Sequence, residues 1–180
     1  MITDEEKTLC LQIVKEAIGK RLNITDNVIE CPYQSIFSES YGLFVTLHIH
    51  DELKGCIGYI LPYKTLYDAL IDLAIAAAFN DNRFTPVTAI EYPLLQYEIS
   101  ILSPLYEVNN IDEITVGRDG LVVQNKYTSG LLLPQVATEN HWDRDTFLAN
   151  TCRKAGLSTS AIKGKDTKIF RFKATIFNGT

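Results

Sequence analysis

The sequence predicts an α+β fold, with an antiparallel or mixed sheet and flanking helices. Two observations predict it. Runs rich in β-branched and aromatic residues cluster as hairpins joined by short polar turns. Amphipathic helical segments fall between those clusters instead of alternating with single strands. A doubly wound fold would alternate more regularly. It would also want a glycine-rich first loop, which this sequence lacks.

The elements follow in chain order. Thr3 to Leu22 reads as a helix, opened by a capping-box pattern at Thr3 and Glu6, with Leu9, Ile13 and Ala17 at spacing four. Residues 23–40 are irregular, with Pro32 as a breaker. Gly42 to Ile49 and Leu53 to Leu61 read as two strands around a short polar turn at His50-Asp51-Glu52, and Pro62 ends the second. Thr65 and Asp68 cap a helix that runs to Phe79, with Leu66, Leu70, Leu73 and Ala77 as its apolar stripe. Asn80-Asp81-Asn82 stops it. Gln96 to Leu102 is a strand. Ile114 to Val116, Gly120 to Gln124 and Gly130 to Leu133 form a β-rich stretch, with turn signals at Asp119-Gly120 and Ser129-Gly130. Pro134 opens a helical region. Asp143 to Ala155 is amphipathic, with Phe147, Leu148, Cys152 and Ala155 inward and Gly156 as its stop. Ser158 to Asp166 is a polar loop. Ile169 to Phe177 alternates Phe170, Phe172, Ala174 and Ile176 against Arg171, Lys173 and Thr175, the pattern of one half-exposed strand.

At 180 residues the chain fits one domain, or at most two small sub-domains sharing a core. A chain of this size buries roughly 70% of its unfolded surface, so folding requires no disulfide or metal. It is 46% hydrophobic and 22% charged, which excludes a largely disordered chain. The longest apolar stretch, Ala69 to Phe79, contains Asp72 and is too short to span a bilayer. The first residues lack the basic-then-apolar build of a signal peptide, so the expected location is the cytoplasm. Cysteines 10, 31, 56 and 152 show no C-x-x-C spacing and are expected as thiols. His48, His50 and His141 make no zinc signature, and no metal is assigned.

The net charge of −5 is uneven. Residues 151–180 carry seven Lys/Arg and one acid, +6, while residues 1–150 sum to −11. The bulk charge is wrong for a nucleic-acid binder, and no aromatic RNA-binding motif is present. The basic segment therefore reads as complementing the acidic body or a partner.

Two segments are distinctive. One is Leu53-Lys54-Gly55-Cys56-Ile57-Gly58. The other runs from Gly130-Leu131-Leu132-Leu133-Pro134-Gln135-Val136-Ala137-Thr138-Glu139 through Trp142-Asp143 and Phe147-Leu148 to Lys154-Ala155-Gly156-Leu157. Together they resemble the AMMECR family, the protein A component of the prokaryotic AmmeMemoRadiSam system. Phe79-Asn80-Asp81-Asn82-Arg83-Phe84 and Glu98 to Pro104 extend the resemblance, which covers about residues 42–177 of a single domain taken as 1–180. It implies an α+β fold with larger and smaller sub-domains, and partners that are a Memo-like protein and a radical SAM protein. It leaves the reaction and the cofactor open. The family's first motif usually has Arg where Lys54 stands, and in the Phe79–Phe84 stretch Asn82 replaces a usual Pro. Lys keeps the charge but loses the bidentate fork.

If the hairpin closes through a two-residue turn, Lys54, Cys56 and Gly58 share one face with Val45 and Leu47. Leu53, Gly55 and Ile57 then share the other with Thr46 and His48. Gly55 and Gly58 weaken a strand, so they admit a ligand or a tightly packed helix. Cys56 reads either as a nucleophile beside the Lys54 ammonium or as a buried small hydrophobe. On this register no histidine shares its face. Arg83 either holds an anion or pairs with Asp81 and the helix end. Glu98 is an acid/base candidate or the ion-pair partner of Lys54 or Arg83. Gln135 and Glu139 lie one helical step apart and can point the same way. Trp142 reads as packing and Asp143 as an N-cap.

These residues support an enzyme or small-anion-binding protein, with a cleft around the first-motif strand and the second motif. Cys56, Glu98 and Glu139 would be its catalytic candidates, and Lys54, Gly55, Gly58, Arg83 and Gln135 its ligand contacts. The alternative is a non-catalytic module docking the Memo-like and radical SAM partners through residues 163–173. Nucleic-acid binding is a distant third.

Overall fold

The computed structural model describes residues 2–27, 30–31, 36–164 and 166–180, without the side chain of Lys163. Pro32 and Lys165 lie outside the described residues. The chain divides into two compact units, Met1–Ile101 with Thr175–Thr180, and Leu102–Ala174. Each has its own sheet and its own hydrophobic cluster. Among the described residues no helix is long and apolar enough to cross a membrane.

The first unit opens with α1 (Asp4–Arg21). Its N-cap Thr3 accepts from Glu6 N–H while Glu6 bonds back, so two of the orphan donors of the first turn are satisfied. Strands β1 (Gly42–Ile49) and β2 (Glu52–Tyr59) form an antiparallel hairpin. Its turn residues His50 and Asp51 both have positive φ, as a two-residue turn matched to strand twist requires. Helix α2 (Leu66–Ile75) buries Leu66, Leu70 and Leu73, continues as a π-helical turn over Ala76–Asn80, and there buries Ala77. Strand β3 is Leu95–Leu102. The first sheet has the order β2-β1-β3-β8, where β8 is Ala174–Gly179. One face of it presses Leu43, Val45, Leu47, Leu95, Tyr97 and Ile99 into a cluster with α1 and α2. The other face carries the half-buried Phe44, Thr46, His48, Gln96 and Glu98.

The second unit holds β4 (Tyr106–Glu107), β5 (Gly120–Gln124), β6 (Ser129–Leu132) and β7 (Lys168–Phe172), in the order β4-β7-β5-β6. Helix α3 (Pro134–Glu139) follows β6. Helix α4 (Arg144–Lys154) has Asp143 as N-cap. It ends on Gly156 at φ +72°, with Gly156 N–H and Leu157 N–H returning to the carbonyls of Arg153 and Cys152.

Three expectations are corrected. Ile114 to Val116 is no strand, because the Asp119 carboxylate takes the Thr115 N–H and turns the chain. Ser158 to Asp166 contains a 3-10 turn at Thr159–Lys163. Ile169 to Phe177 is two strands in two sheets, β7 and β8. They break at Lys173, whose N–H goes to Ser103 Oγ, and the inward phase slips: Ile169 and Phe172 are buried while Ile176 is exposed.

Candidate functional site

The first motif lies on β2, at the edge of the first sheet. Near the turn, Ile49 faces Glu52 and His48 faces Leu53. Beyond it, Leu47 faces Gly55 and Thr46 faces Cys56. Lys54 is thus an extra residue in a β-bulge. The bulge reverses the predicted parity. Cys56 shares the half-exposed face with Thr46, Phe44 and His48, and Gly55 faces the core beside Leu47. Thr46 donates its hydroxyl to Cys56 Sγ at 3.1 Å. The Cys56 backbone groups point away from β1, so the pair is of the type in which side chains approach most closely.

Those outward groups of Cys56 are met by the turn after the π-helical segment. Asp81 Oδ2 accepts from Cys56 N at 2.9 Å, and Arg83 Nη2 donates to Cys56 O at 3.0 Å. Arg83 also grips Asp81 bidentately, Nε to Oδ1 at 2.9 Å and Nη2 to Oδ2 at 2.7 Å. The pair satisfies the exposed edge of β2 as a neighbouring strand would. Asp81's side chain is 3% exposed and Arg83's 54%. The Arg83 hydrogen bonds hold the Asp81 carboxyl well below the usual carboxylate range, against the opposing effect of burial.

Lys54 Nζ reaches Glu91 Oε1 at 2.6 Å and Thr85 Oγ1 at 3.1 Å. Glu91 Oε2 accepts from Thr88 N and Oγ1, both at 2.9 Å. The bond from Lys54 lowers the Glu91 carboxyl below its ordinary range. The carboxylates that meet the two motif cations are therefore Glu91 and Asp81. The glycines serve packing. A Cβ on Gly55 would stand 2.1 Å from the Ala77 carbonyl oxygen, and one on Gly58 would stand 2.3 Å from the Phe44 ring. Of the two roles expected for them, the close helix approach is the one seen at Gly55.

Glu98 stands in a polar pocket of about 420 Å³ with His48, Asp51, Gln96 and Asn178, all from the first unit. In the second unit, Gln135 Oε1 is buried without a hydrogen-bond partner among the described residues, and Glu139 is exposed at the end of α3. Gly130 lies against the backbone of Lys154 and Ala155, where a Cβ would come within 2.2 Å of Ala155 N. Trp142 packs on the second cluster. Lys168 pairs with Glu107 at 3.1 Å, and Arg171 approaches Glu113 at 3.9 Å, so these two charges of the basic segment are complemented within their own unit.

A model of the AMMECR1 family matches residues 8–177. The chain belongs to the AMMECR1 family. Its relatives include a protein of Methanothermobacter thermautotrophicus, 43% identical over 97% of this chain and 94% of the relative. Another is protein MJ0810 of Methanocaldococcus jannaschii, 41% identical over 98% and 92%. The crystal structure of the uncharacterized protein PH0010 from Pyrococcus horikoshii is similar at a TM-score of 0.87 and 39% identity, covering 98% of this chain and 93% of that one.

For this AMMECR1-family chain, the structure brings Lys54, Gly55, Cys56, Gly58, Arg83 and Glu98 into the first unit, and Gln135 and Glu139 into the second. Sequence reasoning gives no role to Glu91, and alternation puts Thr46 and His48 on the face opposite Cys56, whereas the register places them beside it. Glu91 had a signal, since Thr88-x-x-Glu91 is a capping-box pattern. Thr46 and His48 fall on the wrong face in the sequence because a bulge leaves no mark in alternation.

Proposed function

We propose that this AMMECR1-family protein handles a small polar ligand on the half-exposed face of its first sheet, as an enzyme or a binder, with Cys56 as the contacting or nucleophilic thiol. The bulge at Lys54 carries this reading. It turns Cys56 onto the face of Thr46 and His48. His48 is two residues along β1 from Thr46, about 7 Å, and lines the pocket with Glu98. A thiol with a hydroxyl on its sulfur, an imidazole and a carboxylate thus share one strand-mounted surface. Strands hold such groups in fixed geometry, and His48 and Glu98 are the proton carriers of the set.

Charge supports a ligand of opposite sign to the anion the sequence suggested. Two acidic side chains, Asp51 and Glu98, line the pocket, and the cations Lys54 and Arg83 lie outside that lining, on Glu91 and Asp81. A ligand that donates hydrogen bonds or carries an amine suits this lining. The test is native mass spectrometry of the purified protein, with Cys56 alkylation rates in wild type and His48→Gln. A retained small molecule, lost in Glu98→Gln, is expected together with slower alkylation in His48→Gln. No retained mass and no effect of either substitution would sink the reading.

The second reading is a non-catalytic module docking Memo-like or radical SAM partners. It is supported by the internal use of the signature residues: Gly55 on Ala77, Gly130 on Ala155, Lys54 on Glu91 and Arg83 on Asp81. It predicts salt-sensitive association that is lost on charge reversal at Lys165 and Lys168. Unchanged binding to the purified partners would count against it.

A further inference from the structure

We propose that Asp81 is a positioning residue for the Cys56 thiol: its carboxylate fixes the Cys56 peptide and balances the charge that Arg83 brings to it. The inference rests on the reading of Cys56 given above and adds the residue that controls it. Four N–H groups converge on the Asp81 carboxylate: Cys56 N, Arg83 N, Arg83 Nε and Arg83 Nη2, at 2.9, 3.2, 2.9 and 2.7 Å. A helix stop needs none of the bonds to Cys56. The Arg83 guanidinium closes the circuit on Cys56 O. Gly55, one residue earlier, is pressed on the Ala77 carbonyl. The backbone on either side of the sulfur is therefore held by one continuous stretch, from the π-helical turn to Arg83.

The electrostatic consequence has a definite sign. Asp81 and Arg83 are opposite charges paired with each other and both bonded to the Cys56 peptide. Without the carboxylate, the cation acts alone and favours a thiolate. Without the cation, the carboxylate acts alone and disfavours it. Among the described residues, the neighbours of Cys56 on β1 and β2 leave this balance in place. Thr46 is uncharged, His48 stands diagonally on β1, and Lys54 is directed to Glu91 and Thr85.

The experiment follows iodoacetamide alkylation of Cys56 in the full chain, read by peptide mass spectrometry from about pH 6 to about pH 10, a span around the ordinary thiol range. Asp81→Asn is expected to move the rate profile about one pH unit lower and Arg83→Gln about one unit higher, the low end for a single neighbouring charge. A clamp with only a structural role would loosen in both variants and move both the same way. Shifts of the same sign, or none, overturn the inference while leaving a reactive Cys56 intact. A wild-type Cys56 inert throughout overturns the Cys56 reading and the inference with it. If Asp81→Asn does not fold, Arg83→Lys replaces it. Its retained charge is expected to keep the profile near wild type, and a shift as large as that of Arg83→Gln overturns the charge role.

Discussion

Gly55 and Ala77 touch backbone to backbone: the Ala77 carbonyl oxygen lies 2.1 Å from where a Cβ on residue 55 would stand. Gly130 and Ala155 repeat the relationship in the second unit, at 2.2 Å to the Ala155 nitrogen. In both, a glycine of a signature segment admits the main chain of a helix: Gly55 meets the π-helical turn that holds Ala77, and Gly130 meets the end of α4 within its own long segment. Much of what makes these segments distinctive is therefore close packing, and the chemistry left over concentrates on Cys56 and its neighbours.

Gly55→Ala and Gly130→Ala should each destabilise the protein by about 1–3 kcal/mol, the range for inserting a methyl into packed structure. The obstructing atoms are backbone and cannot swing away. Gly156→Ala is the contrast. Among the described residues nothing stands within 4 Å of a Cβ placed there, but its φ is +72°. It should cost about 1–2 kcal/mol through the left-handed conformation alone. Urea midpoints measure all three, and wild-type stability in Gly55→Ala would refute the backbone contact.

Lys54 and Glu91 form a partly buried pair, with side chains 13% and 30% exposed. Lys54→Met should lose about 1–3 kcal/mol, the worth of a hydrogen bond to a charged group. Adding Glu91→Gln should lose less than the sum of the single changes, because the second partner no longer stands unpaired. Additive losses in the denaturation cycle would show that the pair is not coupled.

Acid should unfold the chain through the same carboxylates. Asp81 and Glu91 are lowered chiefly by bonds from Arg83 and Lys54. Asp119 is opposed by burial but is still lowered, by bonds from Arg118 and Thr115. A depressed folded value contributes stability above the unfolded value and loses it as pH falls through the folded one. The melting temperature should therefore hold near neutrality and fall progressively below about pH 4. Glu91→Gln should start lower at neutral pH and fall less steeply. An equal slope in wild type and Glu91→Gln would remove Glu91 from the acid response.

Thr46→Val keeps the β-branched shape and removes the hydroxyl on Cys56 Sγ. Cys56 alkylation at neutral pH should slow about twofold to tenfold, the equivalent of one hydrogen bond. Far-UV circular dichroism should stay unchanged. A wild-type rate would show that the hydroxyl does not act on the sulfur.

Local sequence determined what neighbours along the chain decide. The Thr3 box, the stripe of Leu66, Leu70, Leu73 and Ala77, the bounds of Gly42 to Ile49, the Asp143 cap and the Gly156 stop all depend on residues within a turn or two. The family, too, was legible, because its long segments stand in one order. Tertiary structure alone decided the face of Cys56, since one bulged residue reverses every position after it. It also decided the partners. Lys54 meets Glu91 across 37 positions, and Cys56 meets Asp81 across 25. It divided Ile169–Phe177 between two sheets, although alternation inside that run was unbroken. The physical reason is the same in each case. Periodicity is set by bonds between near neighbours, whereas register and ion pairing are set by which distant segments the folded chain brings within reach.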